Sequence, residues 1–469
     1  MGQALAISNF FSAPVERDWR SDLLVFLSEL LARIEIVAGE FAMLDEITKS
    51  IFENKSEILG TIALEISRKK HRDLFEQVYI DCPKCSKCLK TRGDKSRQVE
   101  TAAGNFELLR PYFYCSDCHY GFYPVDRALG LSTGTKQFDV QDIEAWLASE
   151  LPFDTAEEAY KRCTGNVAGK HHIHEVTQDI AGELNVLDVC PSRDELLSKL
   201  ENIEAGKFRR PILMLALDGA HAPLRPEPSP RSGKRGKGNW KESKGFRFYF
   251  VDSERIIHLI SWHQVQTDKE LTIALQAIKD ANFFPEERVR LCVIGDGAPW
   301  IWNRIKEIYP NAKEVLDYYH CVEHLHDFAH AQYGKGSVKA REWVEATLAR
   351  LFHNQVKVVI SGLKRMKPKT DDAAKEIISL QNYLKGHQHR VNYGTARRGG
   401  YHIGSGAIES ANKFIGHVRL KRSGAWWYRS FANNILKLRC AKYNGTYDRI
   451  IEKHKEKKRA EIYPPLRQL

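Results

Sequence analysis

The chain of 469 residues has no uninterrupted apolar run long enough to span a bilayer. Its first twenty residues, MGQALAISNFFSAPVERDWR, lack the basic segment and following apolar segment of a secretory leader. Gly2 is present, but position six is Ala6 rather than Ser or Thr, so the myristoylation pattern fails. No repeat of solenoid period occurs, which excludes a stacked-repeat architecture. These absences predict an intracellular, cytoplasmic protein with no membrane partner. In that setting ten cysteines are thiols or metal ligands before they are disulfides.

Negative charge is scarce at the C-terminal end. From Ser410 onward there are 15 Lys/Arg against 4 Asp/Glu, a local net of +11 that equals the net charge of the whole chain. Such a concentration favours a polyanion, because each phosphate contact releases condensed counterions. For Lys453–Arg459 a solvated basic tail is an equal alternative. Length suggests about three domains, and a hydrophobic fraction of 43% is ample for a core.

Leu23, Leu24, Phe26, Leu27, Leu30, Leu31 and Ile34 recur at helical spacing, and Ile51, Ile58, Ile62 and Ile66 continue the pattern, so residues 1–76 read as an N-terminal helical region with a packed hairpin. Cysteines and aromatics then replace it over 77–130. Cys82 and Cys85 in CPKC, with Cys115 and Cys118 in CSDC, offer four thiolates to a tetrahedral, structural Zn²⁺ in a zinc ribbon. Cys88 and His119 are competing ligands. The isolated Cys163, Cys190, Cys292, Cys321 and Cys440 read as small buried hydrophobes.

Within 138–200, a helix through Arg162 breaks at Thr164-Gly165-Asn166, and a second begins near Val167, presenting Lys170, His171 and His172. Short helix, turn and second helix form a bihelical DNA-reading unit, with Lys170 and His171 near base edges. An ordinary helical hairpin fits the same pattern.

From Pro211 to Val315 the runs ILMLAL, FRFYFV, IIHLISW and VRLCVI have strand lengths, with the middle two expected as a meander. The first runs into Asp218-Gly219-Ala220 and the last into Gly295-Asp296-Gly297-Ala298, which predicts carboxylates at strand ends. AKEVLDYYH supplies another strand, ending at Asp317. A helix beginning at Ser405 or Gly406 would carry Glu409 in its first turn, Lys413 on the same face, and Arg419, Lys421, Arg422, Trp426 and Trp427 beyond. Several acids from separate segments suit two Mg²⁺ ions that stabilise the attacking and leaving oxygens of a phosphodiester.

The segments GDGAPWIWN, LDYYHCVEHL and GSGAIESANKFIGHVRLKRSGAWW, with the strand-DGA element, resemble bacterial insertion-sequence transposases of the ISKra type, related to Mutator-like transposases. The resemblance spans roughly 78–440 and is most specific over 210–430. It implies a multidomain α+β protein in which a ribonuclease-H-like α/β catalytic domain (205–440) has a helical insertion at about 322–398 and is followed by a basic tail at 441–469. It implies Asp218, Asp296 and Glu409 as a DDE triad holding two Mg²⁺ ions, with His320, in the Asp317-x-x-His320 element, near the scissile phosphate. It further implies double-stranded DNA, both transposon ends and target, as partner, and a homo-oligomer that pairs two ends. The basic residue that many such enzymes carry seven positions after the glutamate is Gly416 here; Lys413, Arg419, Lys421 and Arg422 are the nearby candidates for phosphate contact.

Two other readings stay open. His320-x-x-Glu323-His324 matches an inverted zinc-peptidase motif, although a peptidase leaves Asp218, Asp296 and the cysteines unexplained. The third is a DNA-binding regulator without catalysis. Arg225–Arg247, with eight Lys/Arg and two Glu, reads either as a loop that tracks a phosphate backbone or as a solvated hairpin loop.

Overall fold

The helical periodicity of the first segment forms helices Trp19–Ala38 and Leu44–Lys70 in a computed structural model that describes residues 19–38, 42–227, 236–252 and 255–464. The chain is mixed α/β and divides into two units, residues 1–148, 153–176 and 452–469, and residues 149–152 and 177–451. None of the described helices is long and apolar enough to cross a membrane.

In the first unit, Leu30 and Ile34 are buried on the first helix. Six short strands follow as antiparallel pairs: β1 (Tyr79–Asp81) with β2 (Cys88–Lys90), β3 (Asp94–Glu100) with β4 (Asn105–Pro111), and β5 (Phe113–Cys115) with β6 (Tyr120–Phe122). The second helix lies directly on the β3–β4 hairpin. At Gly60 a Cβ would stand 2.2 Å from the Asn105 carbonyl oxygen, so only glycine permits this approach. Arg110 and Arg97 reach Asp126 at 2.7 and 2.9 Å, a paired charge buried behind the hairpin.

The second unit is built on a five-stranded sheet of order β11-β10-β7-β8-β9. Its strands are β7 (Ile212–Leu224), β8 (Asn239–Asp252), β9 (Arg255–Val265), β10 (Arg290–Gly295) and β11 (Lys313–Leu316). β8 and β9 pair antiparallel as expected, with a bulge at Phe248/Tyr249, and β7 joins them antiparallel on the other side of β8. β10 and β11 run parallel to β7. Apolar residues of β7, among them Met214, Leu215 and Leu217, are fully buried, as a central strand covered on both faces requires. Helices Tyr318–Tyr333, Val338–Phe352, Val356–Arg365, Asp371–Gly386 and Tyr393–Arg398 fill the expected helical segment.

Several expectations are corrected. Asp218 lies within β7, not at its end, because β8 continues to pair with β7 as far as Leu224. In the Arg225–Arg247 stretch, residues 239–247 belong to β8, and 228–235 fall outside the described residues. The basic C-terminal segment is not a simple tail: helix Tyr447–Ile462 buries Tyr447, Ile450 and Ile451. Cys163 is exposed, whereas Cys190, Cys292, Cys321 and Cys440 are buried as expected.

Candidate functional site

Sheet register assembles the acidic site. Ile294 on β10 pairs with Ala216 on β7, and Gly295 with Leu316 on β11. Asp218 and Asp296 stand two residues beyond the first of these pairs, and Asp296 and Asp317 one residue beyond the second. Register thus brings three acids level at the edge where β10 and β11 end. The Asp317 backbone N–H donates to the Gly295 carbonyl at 2.8 Å and keeps the last two level.

Each aspartate is fixed differently. Asp218 accepts from the Gly219 N–H at 2.7 Å and from Asn412 Nδ2 at 2.6 Å. Burial pushes its carboxyl up to about 6; Asp296 and Glu409 add to the rise, while the Gly219 N–H and His320 oppose it. Asp296 accepts from the Ala298 N–H at 2.8 Å, and its carbonyl receives Trp302 Nε1 at 3.0 Å.

Asp317 is fully buried and caps helix Tyr318–Tyr333. Its Oδ1 accepts from the N–H groups of Tyr319 (3.3 Å) and Ser405 (3.0 Å). Its Oδ2 accepts from the His320 N–H (3.4 Å) and from Ser405 Oγ (2.9 Å). The Ser405 hydroxyl also contacts Glu409 Oε1.

Glu409 arrives on helix Gly406–Ala411, which passes without a break into a π-helix, Asn412–His417. Such π segments recur at functional sites, where they re-aim side chains. Here the first π residue is Asn412, the one that holds Asp218. Asn412 and Ser405 are site residues that spacing alone did not reveal, since neither is chemically distinctive.

Oxygen or nitrogen atoms of Asp317, His320 and Glu409 all lie within 4.8 Å of one another. Proximity alone would make these three a ligand set. Asp317 accepts from three backbone N–H groups, and the Ser405 hydroxyl, with a single hydrogen to give, stands between Asp317 Oδ2 and Glu409 Oε1. Asp317 is therefore a clasp between the His320 helix and the Glu409 helix. Asp218 and Asp296 flank this group without joining it at that spacing. The residues drawn within that spacing are thus Asp317, His320 and Glu409, and not the expected set of Asp218, Asp296 and Glu409.

His320 Nδ1 stands 3.2 Å from Glu323. His324 instead packs its ring on Tyr383, centroids 4.1 Å apart, and stands outside the candidate metal-ligand groups found among the described residues.

Of the basic residues after Glu409, Lys413, Lys421 and Arg422 are exposed. Arg419, expected at a phosphate, is corrected: it is 2% exposed, with its guanidinium stacked 4.7 Å from the Trp427 ring centroid. Burial, with Arg439 and Arg422 nearby, lowers its pKa to about 9. Arg439 is likewise internal, donating to the Ile415 and Ser149 carbonyls at 2.8 Å each.

In the first unit, Cys82 and Cys118 sulfurs lie 4.0 Å apart and Cys85 and Cys115 sulfurs 3.7 Å apart, all four within 4.8 Å of one another. A tetrahedral Zn²⁺ with bonds of about 2.3 Å needs sulfurs roughly 3.8 Å apart, so the site fits. Each Cys-x-x-Cys turn ends on a residue with left-handed backbone, Ser86 (φ 58°) and His119 (φ 48°). Cys88 sits on β2 opposite Asp81, and neither it nor His119 joins the cluster.

Helices Phe153–Thr164 and Lys170–Ala181 are joined through Gly165 (φ 79°), and the second begins three residues later than expected. Lys170 and His171 are exposed at its start, Lys170 paired with Asp154 at 2.9 Å. His172 reaches the buried Glu144 at 2.8 Å.

No family model matches the chain. A UPF0236 protein of Streptococcus gallolyticus is 22% identical over 365 residues, covering 76% of this chain and 74% of its own length. Two UPF0236 proteins of Caldanaerobacter subterraneus subsp. tengcongensis are 23% identical over 447 residues, 92% of this chain and 81% and 77% of theirs. None of these names states an activity.

Proposed function

We propose that the chain is a DNA transposase of the insertion-sequence type, which cuts DNA at an element's ends and joins it to a target. The observation that carries the reading is the level row of Asp218 and Asp296 where β10 ends beside β7, with Glu409 near enough to add to the rise of the Asp218 carboxyl. The strand order, three antiparallel strands followed by two parallel ones, supports a ribonuclease-H-like reading of the sheet. The name of one Caldanaerobacter relative joins four locus labels and that of another joins two, and repeated copies are what a self-moving element leaves in a genome.

Asp218, Asp296 and Glu409 would hold Mg²⁺, which when bound stabilises charge on the attacking and leaving oxygens of the phosphodiester. The chain's own part is placement. The Gly219 N–H and Asn412 aim Asp218, the Ala298 N–H aims Asp296, and Ser405 steadies Glu409. His320, on the first turn of its helix, stands beside Glu409 within reach of a phosphate there. Lys413, Lys421 and Arg422 meet the DNA backbone, which adds affinity without sequence information. Lys170 and His171, on the second of two helices, read the ends as a helix-turn-helix, and the Cys82/Cys85/Cys115/Cys118 ribbon holds Zn²⁺ beside them in sequence. Joining two ends calls for a homo-oligomer on DNA in the cytoplasm.

The test is nicking and strand transfer on DNA carrying the element's own ends, comparing wild type with Asp296→Asn. Magnesium-dependent products from the wild type alone are expected. End binding with no cleavage by either protein, in Mg²⁺ or Mn²⁺, replaces this reading with a non-catalytic DNA binder.

A further inference from the structure

We propose that His263, on β9, is a positioning residue for the acidic site: its ring N–H holds the side-chain oxygen of Asn412, so that the amide nitrogen of Asn412 stays turned to Asp218. That this placement serves a metal ion acting on DNA rests on the transposase reading.

The arrangement begins with strand register. Asp218 on β7 pairs with Gly245 on β8, and Gly245 pairs with His263 on β9. Residues paired across strands point to the same face, so Asp218 and His263 share one face with no side chain between them. Two strand spacings, about 9.6 Å, separate their backbones. The imidazole leans into that gap: a Cβ at Gly245 would stand 2.0 Å from His263 Nδ1 and 2.5 Å from its Cε1. A side chain at 245 would displace the ring, which gives this glycine its reason. Asn412 closes the remaining distance. Its Nδ2 donates to Asp218 Oδ2 at 2.6 Å, and its side chain is hydrogen-bonded to the His263 ring. Both residues are buried, 1% exposed for His263 and 4% for Asn412, and an amide so enclosed is oriented by its neighbours.

The direction of the second bond follows from proton counting. Burial lowers the pKa of the ring to about 3; the Asn412 bond opposes the fall, as a bond given by the ring does, and Arg247 adds to it. A neutral imidazole bears a single N–H. His263 Nε2 is buried and has no partner among the described residues. A hydrogen on Nε2 would be a buried unpaired donor, and the bare Nδ1 would draw the Asn412 amide nitrogen off Asp218. On Nδ1 the hydrogen has an acceptor in the Asn412 oxygen. Asp218 is then held at both oxygens, Oδ1 by the Gly219 N–H and Oδ2 by Asn412. A group that fixes Asn412 therefore fixes the lone pairs that Asp218 has left for a cation. Partners one step behind a metal ligand are worth about 10- to 100-fold in metal affinity or activity.

The test is a double-mutant cycle of Asn412→Ala with His263→Phe, which keeps a ring and deletes its N–H. The full chain is titrated with Mn²⁺ by calorimetry, its melting temperature is recorded, and wild type is assayed for cleavage of element-end DNA in Mg²⁺. Each single variant should bind Mn²⁺ about 10-fold more weakly. The double variant should bind no more weakly than Asn412→Ala alone, because His263 acts through Asn412. Unchanged Mn²⁺ affinity in His263→Phe, whatever its melting temperature, makes the histidine a packing residue and overturns the proposal. A loss that persists in full on the Asn412→Ala background overturns it as well. Should His263→Phe not fold, Gly245→Ala takes its place in the cycle, since its Cβ pushes the ring off Asn412. The same loss and the same non-additivity are expected, and unchanged affinity again overturns the role. Wild type that binds Mn²⁺ but cuts nothing fails the transposase reading alone, and the cycle still judges His263. Wild type that binds no Mn²⁺ removes both.

Discussion

The cysteine cluster and the acidic site both gather metal-type ligands, yet they are built in opposite ways. The four cysteines come from two tight turns, and their sulfurs already stand at the mutual distances one ion requires. The acidic site draws on residues as far apart as Asp218 and Asn412, 194 positions in sequence, and is levelled by sheet register. The first needs only the chain between Tyr79 and Phe122 to form. The second forms only when the whole sheet is in place, and it holds carboxylates away from water, the first cause of the raised Asp218 carboxyl. A closed cluster of thiols is suited to holding a fold together; a cluster of half-buried acids gathered from distant segments is suited to chemistry.

The largest effect that can break this contrast is loss of the cysteine cluster. Structural zinc in small domains carries about 10–16 kcal/mol of apparent binding energy. Cys115→Ser should therefore drop zinc content from about one ion per chain to near zero and open residues 79–122 to amide exchange, while β7–β11 stay protected. Elemental analysis with exchange mass spectrometry reads both; retention of zinc would undo the ribbon.

Next is Glu409→Gln, which removes a charge from the acidic group. Cleavage should fall roughly 10³-fold, the loss of several kcal/mol at 1.36 kcal/mol per decade. Calorimetric binding of Mn²⁺ should weaken in parallel, with a melting temperature close to wild type. A destabilised protein with unchanged metal binding would make Glu409 a structural residue like Asp317.

Ser405→Ala is smaller and sharpens the clasp. It leaves Asp317 Oδ2 without its hydroxyl donor, and a buried acceptor left short costs about 1–3 kcal/mol. A melting temperature lowered by a few degrees and reduced cleavage at unchanged zinc content are expected. No thermal change would mean that the Asp317–Ser405 contact bears no strain from either helix.

The probe that changes no residue is pH. Burial first, then Arg247, lowers the pKa values of both His258 and His263 to about 3. In the unfolded chain they protonate near pH 6.5. Between those limits the unfolded state binds more protons, so stability falls as pH drops from about 6.5 towards 3. The cost is about 1.4 kcal/mol per pH unit for each histidine within that window. Denaturant midpoints at pH 7 and pH 5 measure it, and His263→Phe should flatten the dependence.

Much of this was legible in the sequence. The strand runs, the helical segment from Tyr318 to Arg398 and the CPKC/CSDC spacing carry their periodicities openly. Asp218 was misplaced at a strand end because apolarity stops there, whereas β7 continues on hydrogen bonds to a polar stretch of β8. Arg419 was misread because arginine in a basic run looks like surface, and only tertiary packing against Trp427 buries it. Asn412 and His263 gave no signal, since their roles arise from neighbours brought together by register and by a helix many residues away. The choice between Cys88 and Cys82 as partner to Cys85 could be settled only by strand pairing, which places Cys88 on β2.

The Asp317 clasp has a consequence for how the protein can change over time. Tyr318 N–H donates to the Ile403 carbonyl at 2.8 Å, and Asp317 grips Ser405 beside it. The long helical excursion between them thus leaves the sheet and returns to it through one stitched seam. Lengthening a tethered loop costs only slowly more entropy as it grows, so with its two ends sewn together the excursion can gain or lose helical turns away from Tyr383 and Arg390, which also touch the sheet side, while Glu409 keeps its position.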